Sequence, residues 1–119
     1  MCIRDRKYSD LLNCFLLDFA KSKENSTNGL VTFAIIDKEQ HHYQAMIRGV
    51  DVDTEIYSCD ILFHFDIIDD KIWFQCNYTD LLIEDELLKL GIPKSDIVFG
   101  WLPEYAREHS GWGVGEKAA

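Results

Sequence analysis

The sequence predicts an α+β domain, an antiparallel β-sheet covered on one face by an N-terminal helix and a second helix. Three observations predict it. Tyr8, Leu11, Leu12, Phe15, Leu16 and Phe19 recur at helical spacing. Segments between Leu30 and Asn77 are β-branched, aromatic or alternating, with polar turns between them. A second helical stretch then follows, closed by Gly91 and Pro93. Helix, strands, helix is the order of an antiparallel sheet with its helices on one side.

Each element has its own signature. The first helix runs from about Lys7 to Lys21, with its apolar side chains three and four residues apart. Glu24 to Gly29 is a turn cluster. Leu30 to Asp37 is β-branched and apolar, the pattern of a strand buried on both faces. His42 to Val50 alternates, with Tyr43, Ala45 and Ile47 opposite Gln44 and Arg48. Ile56 to Ile67 alternates more clearly. Tyr57, Cys59, Ile61, Phe63, Phe65 and Ile67 share one face, and Ser58, Asp60, His64 and Asp66 the other. Asp69 and Asp70 make a tight turn, and Lys71 to Asn77 returns as the hairpin partner, placing Ile72, Phe74 and Cys76 together. Thr79 or Asp80 is expected to cap the second helix, whose buried side is Leu82, Ile83, Glu86, Leu87 and Leu90. Ser95 to Gly100 reads as a short strand or turn, and Trp101 to Gly115 is rich in aromatics and glycine without a periodic pattern.

The 119 residues suit one domain, and a content of 47% hydrophobic and 13% aromatic residues is enough for a core. The first six residues, Met-Cys-Ile-Arg-Asp-Arg, read as a translated sequencing adaptor of the kind carried into metagenomic reading frames. The natural domain is therefore expected to span residues 7–119. No apolar run approaches the roughly 20 residues that span a bilayer, and charges interrupt the N-terminus, so a cytoplasmic protein is expected.

The net charge of −9 is unevenly spread. Between Gly49 and Leu88, Lys71 is the single Lys or Arg, among eleven acids from Asp51 to Glu86. Nucleic-acid binding needs cations that displace counterions from phosphates, so direct binding to DNA is not expected. An acidic face suits a basic protein partner, and it equally serves solubility.

No constellation announces catalysis. Cys2, Cys14, Cys59 and Cys76 contain no CxxC spacing and read as reduced thiols, the last two on apolar strand faces. His41 and His42 point to opposite faces of an extended chain and, with Cys59, His64 and Cys76, lack a standard zinc spacing. Asp66, Asp69 and Asp70 lack the glycine and terminal glutamate of an EF-hand loop. The glycines of GWGVG have no strand-then-helix context for a phosphate. No catalytic, cofactor or metal residues are assigned. Trp101, Pro103, Tyr105, Arg107, His109 and Trp112 are the most unusual cluster, because Trp, Tyr and Arg dominate interface hot spots. The same residues can instead pack back on the sheet.

With these segments in place, the chain after residue 6 resembles the fdxN element excision controlling factor (XisI) family. The most specific stretch is Lys71 to Trp101, KIWFQCNYTDLLIEDELLKLGIPKSDIVFGW. It resembles a family pattern of KIWIQ, a short turn with Thr, an EL-containing helix and GIPKxDIVLGF. His42 to Gln44 and the run from Tyr57 to Asp66 resemble the central strands. Pro103, Arg107, His109, Ser110 and Gly111 to Gly115 resemble the closing P-x-x-x-R-x-H-T-G-F-A-V-G. Glu104, Ser110, Trp112 and Gly113 depart from the family's Pro, Thr, Phe and Ala.

The resemblance implies a role and a partner. In heterocyst-forming cyanobacteria, XisI-like proteins act with XisH to permit excision of the fdxN element by the XisF recombinase, and XisH-like proteins look nuclease-like. The expectation is a non-catalytic accessory protein that binds an XisH-like partner through Trp101, Pro103, Tyr105, Arg107 and Trp112, without a cofactor. Exposed aromatics also admit a homodimer. Two alternatives stand beside it. One is a neutralising, antitoxin-like partner of a nuclease-like protein, and the other an enzyme with an acidic site around Asp60, His64 and Asp66.

Overall fold

In the computed structural model, which describes residues 3–23 and 28–115, the apolar stripe of the N-terminal segment forms helix α1, Ile3–Ser22. Tyr8, Leu12 and Leu16 are buried along one line of it, four residues apart, with Leu11, Phe15 and Phe19 packed beside them. The helix starts before the expected Lys7, so its backbone takes in Ile3 to Arg6; Met1 and Cys2 lie outside the described residues. Of the expected turn at Glu24 to Gly29, residues 24–27 lie outside them as well.

Five strands follow: β1 Leu30–Asp37, β2 His42–Val50, β3 Tyr57–Ile68, β4 Lys71–Asn77 and β5 Ile97–Phe99. They lie in the order β1-β2-β3-β4-β5. The first three pairings are antiparallel, and β5 runs parallel to β4. The expected antiparallel sheet is thus four strands with a parallel fifth added, because the chain crosses by way of helix α2, Ile83–Lys89, before returning. A last short helix, α3, spans Glu104–Arg107.

The core lies between one sheet face and the helices. Tyr43, Ala45, Phe63, Phe65, Ile67, Ile72, Phe74 and Ile97 meet Leu12 and Leu16 of α1 and Ile83 and Leu87 of α2. The phenylalanines form a chain of ring contacts, with Phe19 edge-on to Phe63 at 5.0 Å and Phe65 4.8 Å from Phe74. Buried hydroxyls tie α1 to the rest of the fold. Tyr8 donates to the buried Asp96 carboxylate, and Ser9 Oγ lies 2.6 Å from the Tyr43 hydroxyl. No helix among the described residues is long and apolar enough to cross a membrane.

Two turns carry the chemistry their sequences predict. Asp69 and Asp70 have φ of 52° and 64° between the paired residues Ile68 and Lys71, the left-handed pair a two-residue hairpin loop requires. Helix α2 ends at Gly91, φ 91°, with Gly91 N–H donating to Leu88 and Ile92 N–H to Leu87. That double bond, with Ile92 and Leu87 both buried, is a Schellman closure.

Four expectations about faces and caps are corrected. The β2–β3 register steps from Ala45↔Phe63 to Met46↔Ile61, leaving Leu62 as an extra residue. Alternation resets there, so Ile61 and Cys59 leave the face of Phe63 and Phe65 and are exposed. The β3–β4 register steps from His64↔Cys76 to Phe65↔Phe74, leaving Gln75 extra. Cys76 therefore joins the face of His64 rather than that of Ile72 and Phe74. The expected caps of α2 are consumed elsewhere, since Asn77 Oδ1 accepts the Thr79 N–H at 3.0 Å and the Thr79 hydroxyl at 2.6 Å. Thr79 Oγ1 in turn accepts the Leu81 N–H, and the helix starts later, after Leu82, with no side-chain cap. Ile83 and Leu87 are its buried residues, whereas Leu82 and Leu90 are exposed.

Candidate functional site

Strand register assembles a polar cluster on the sheet face away from the helices. His42 of β2 pairs directly with Asp66 of β3, Gln44 with His64, and Asp66 with Trp73 of β4. Directly paired residues share a face, as do residues two apart. His42, Gln44, His64, Asp66 and Trp73 therefore form one patch, and the bulged Gln75 turns into it.

Asp66 is its centre. Its Oδ1 lies 2.6 Å from His42 Nδ1 and 2.6 Å from His64 Nε2, and its Oδ2 accepts the Gln75 amide N–H at 3.1 Å. His64 Nδ1 lies 3.0 Å from Gln44 Oε1, and the two imidazole rings are 5.9 Å apart. The side chains of His64 and Asp66 are 19% and 17% exposed, and that of His42 is 56% exposed. Burial by itself raises the Asp66 carboxyl. The hydrogen bonds of His42 and His64, the charge of His64 and the Gln75 amide outweigh it, so the group titrates below its ordinary value of 3.8. On the same face, burial and the Asp66 charge push the Cys76 thiol up, against a hydrogen bond from the His64 backbone.

The sequence pointed to part of this cluster and misplaced the rest. An acidic site of Asp60, His64 and Asp66 does not form, because the bulge at Leu62 puts Asp60, partner of Ile47, on the other face. His42 takes that place. The missed signal is the His42↔Asp66 pairing, readable only once the β2–β3 register is known.

The C-terminal aromatics divide into two groups. Tyr105 is 74% and Trp101 48% exposed, and Pro103 is exposed between them. Trp101 stacks on Phe99 at 4.8 Å and lines a cleft of about 490 Å³ with Gln75, Tyr78, Leu81 and Leu82. Arg107 and Trp112 dock back on the sheet. The Arg107 guanidinium sits 5.0 Å from the Trp73 ring, and its Nη1 donates to the Leu102 carbonyl at 3.3 Å, while its Nε is buried without an acceptor. Trp112 packs on Phe99 at 5.0 Å under the Lys94 ammonium. Gly113 then donates to the Ile97 carbonyl along the β5 edge, in a space too small for any Cβ.

Known proteins share this architecture. The chain is similar to a XisI-like protein from Anabaena variabilis, with 38% identity over 93% of this chain and 99% of that one, and a TM-score of 0.77. It shares its fold with the fdxN element excision controlling factor XisI of the same organism, at 22% identity over 94% and 99% of the two chains and a TM-score of 0.73. No curated protein matches the chain. The model of the XisI protein family matches residues 4–114, nearly the whole fold described above, and the chain belongs to the XisI family.

Proposed function

We propose that this protein is an accessory factor in the control of DNA excision or rearrangement, and that it acts by binding a protein partner rather than by catalysis. The family match carries the first half of this reading, together with the excision controlling factor that shares the fold. The second half rests on the tail. Trp101 and Tyr105 are large aromatics held on a short, anchored segment and left facing solvent. Rigid exposed aromatics bind at low entropic cost. The stretch from Asp51 to Glu86 is strongly acidic, which steers a basic partner and repels a duplex.

The partner this reading names is an XisH-like, nuclease-like protein, the resemblance set out above being its support. Arg107 and Trp112 then shape the tail from beneath, and Trp101, Pro103 and Tyr105 meet the partner. Co-expression with the XisH-like product of a neighbouring gene tests it. Co-purification that is lost in Trp101→Ala/Tyr105→Ala, with the fold intact, is the expected result. Co-purification indifferent to both substitutions refutes the assigned surface.

A further inference from the structure

The polar patch on the open sheet face has more order than solubility or packing requires. Two imidazoles and one carboxylate converge there from adjacent strands, and their nearest donor atoms, His42 Nδ1, His64 Nε2 and Asp66 Oδ1, all lie within 4.8 Å of one another. We infer that His42, His64 and Asp66 bind one divalent transition-metal ion, of the zinc class, on the sheet face opposite the helices.

Proton bookkeeping at His64 supports the site. Its Nδ1 faces the Gln44 amide oxygen, whose own nitrogen is turned to the Met46 sulfur at 3.4 Å, and its Nε2 faces a carboxylate oxygen. Both neighbours are acceptors. An imidazole satisfies both acceptors only with a proton on each nitrogen, so with Nδ1–H given to Gln44, displacing the other proton leaves the Nε2 lone pair directed at a cation that Asp66 can share. A divalent cation between Nε2 and Oδ1 then stands in place of that proton. His42 Nδ1 is aimed at the same Oδ1, so one ion serves both rings.

The surroundings match what metal ligands need. The far nitrogen of a ligating histidine commonly has a hydrogen-bond partner that fixes its tautomer, and a ligating carboxylate is itself hydrogen-bonded. Gln44 does the first for His64, and Gln75 the second for Asp66. Imidazole with carboxylate suits zinc and its neighbours better than magnesium or calcium. At bond lengths of about 2.0–2.2 Å, ligand atoms sit about 3 Å or more apart. The 2.6 Å separations therefore open slightly on binding, and His42, the exposed ring, is the one free to move. Three protein donors leave an outward position for water.

Such an ion would clamp β2 to β3 and fix Asp66, which holds Gln75. Gln75 lies against Gly100, next to Trp101, so occupancy would also stiffen the foot of the exposed aromatic segment.

The test uses the full, untagged chain, stripped with EDTA and dialysed, then titrated with zinc chloride by calorimetry, with magnesium chloride as the control. One zinc per chain is expected, with no comparable magnesium binding. His42→Ala should weaken zinc binding at least about tenfold, no less than the loss of an outer-shell partner. Because His42 is largely exposed, this variant should melt with the metal-free wild type. His64→Ala should weaken binding as much, and cobalt should give visible ligand-field bands in the wild type that both variants lose. Failure to take up one equivalent, or uptake equal in wild type, His42→Ala and His64→Ala, overturns the inference and assigns any bound ion to surface acids or thiols.

Discussion

Gln75 and Gly100 interlock: a Cβ at Gly100 would stand 2.2 Å from the Gln75 amide oxygen, so the missing side chain is what lets that amide lie flat and reach Asp66. The contact joins the extra residue of a β-bulge to the residue before Trp101, and so joins the polar patch to the exposed aromatic segment. Gly100→Ala should expel the amide and cost about 1–3 kcal/mol, the scale of a lost hydrogen bond to a charged group. In a Gln75→Ala background the same substitution should cost much less. Urea unfolding of the four proteins of this cycle checks it, and additive costs would show that the two residues do not interact.

The core between α1 and the sheet should be sensitive to truncation. Leu12 and Leu16 have no exposed surface, whereas Leu17, one position on, is 52% exposed. Leu12→Ala should destabilise by about 2–5 kcal/mol, and Leu17→Ala by about 0.5 kcal/mol or less. Denaturant midpoints measured side by side distinguish them. Equal losses would mean that α1 does not dock by this face.

Asp66 gives the fold a pH dependence of definite sign. Its folded-state carboxyl titrates below the ordinary value of 3.8, so the ionised form favours the folded state. That contribution is fully present above about pH 5 and is lost as pH falls through the lowered value. In EDTA, the stability gap between wild type and Asp66→Asn should be widest near neutrality and should close toward pH 3. A gap that widens on acidification would reverse the sign argued here.

Thiol reactivity should report the bulge at Gln75. Cys14 and Cys59 are exposed, and Cys76 is half-buried on the face of Asp66, with its thiol pushed up by burial and by that carboxylate. A raised value means less thiolate at pH 8. Iodoacetamide followed by peptide mass mapping should modify Cys14 and Cys59 well before Cys76. Asp66→Asn, which removes the nearby charge, should speed Cys76 and leave Cys14 unchanged.

Legibility in the sequence followed the range of the interactions. Helix α1, the Asp69-Asp70 turn and the Gly91 stop depend on residues within a turn or two of each other, and each stands where its residues predict. The two β-bulges were hidden, because an alternating string looks the same whether or not its partner strand skips a residue. Leu62 and Gln75 are the residues skipped, and the misplaced faces of Cys59, Ile61, Asp60 and Cys76 follow from them; Leu30 to Asp37, expected to be buried on both faces, is instead the sheet's edge strand, with Val31 and Ile35 exposed. Thr79 misled for another reason. It is as good a helix cap as any hydroxyl residue, but Asn77 sits two residues before it and captures it first. The His42–Asp66 contact joins residues 24 apart and depends on register alone. The exposed Trp101 and Tyr105 and the docked Arg107 and Trp112 look alike in sequence, and only the Trp73 and Phe99 rings beneath the latter separate them.

The two halves of the tail should respond differently to substitution. Trp112→Ala removes a ring packed on Phe99 and should lower stability by about 1–3 kcal/mol. Tyr105→Ala removes an exposed ring and should leave thermal unfolding within about 0.5 kcal/mol of wild type. Thermal melts of the two variants separate a structural role from a binding one.

The central claim is that this chain works by holding a protein partner, and the most direct test is its affinity for the XisH-like product of a neighbouring gene, measured at low and high salt. The account predicts a stable complex whose dissociation constant rises with salt, as an acidic surface steering a basic partner requires, and which Trp101→Ala/Tyr105→Ala weakens at both salts. No complex at either salt would contradict it.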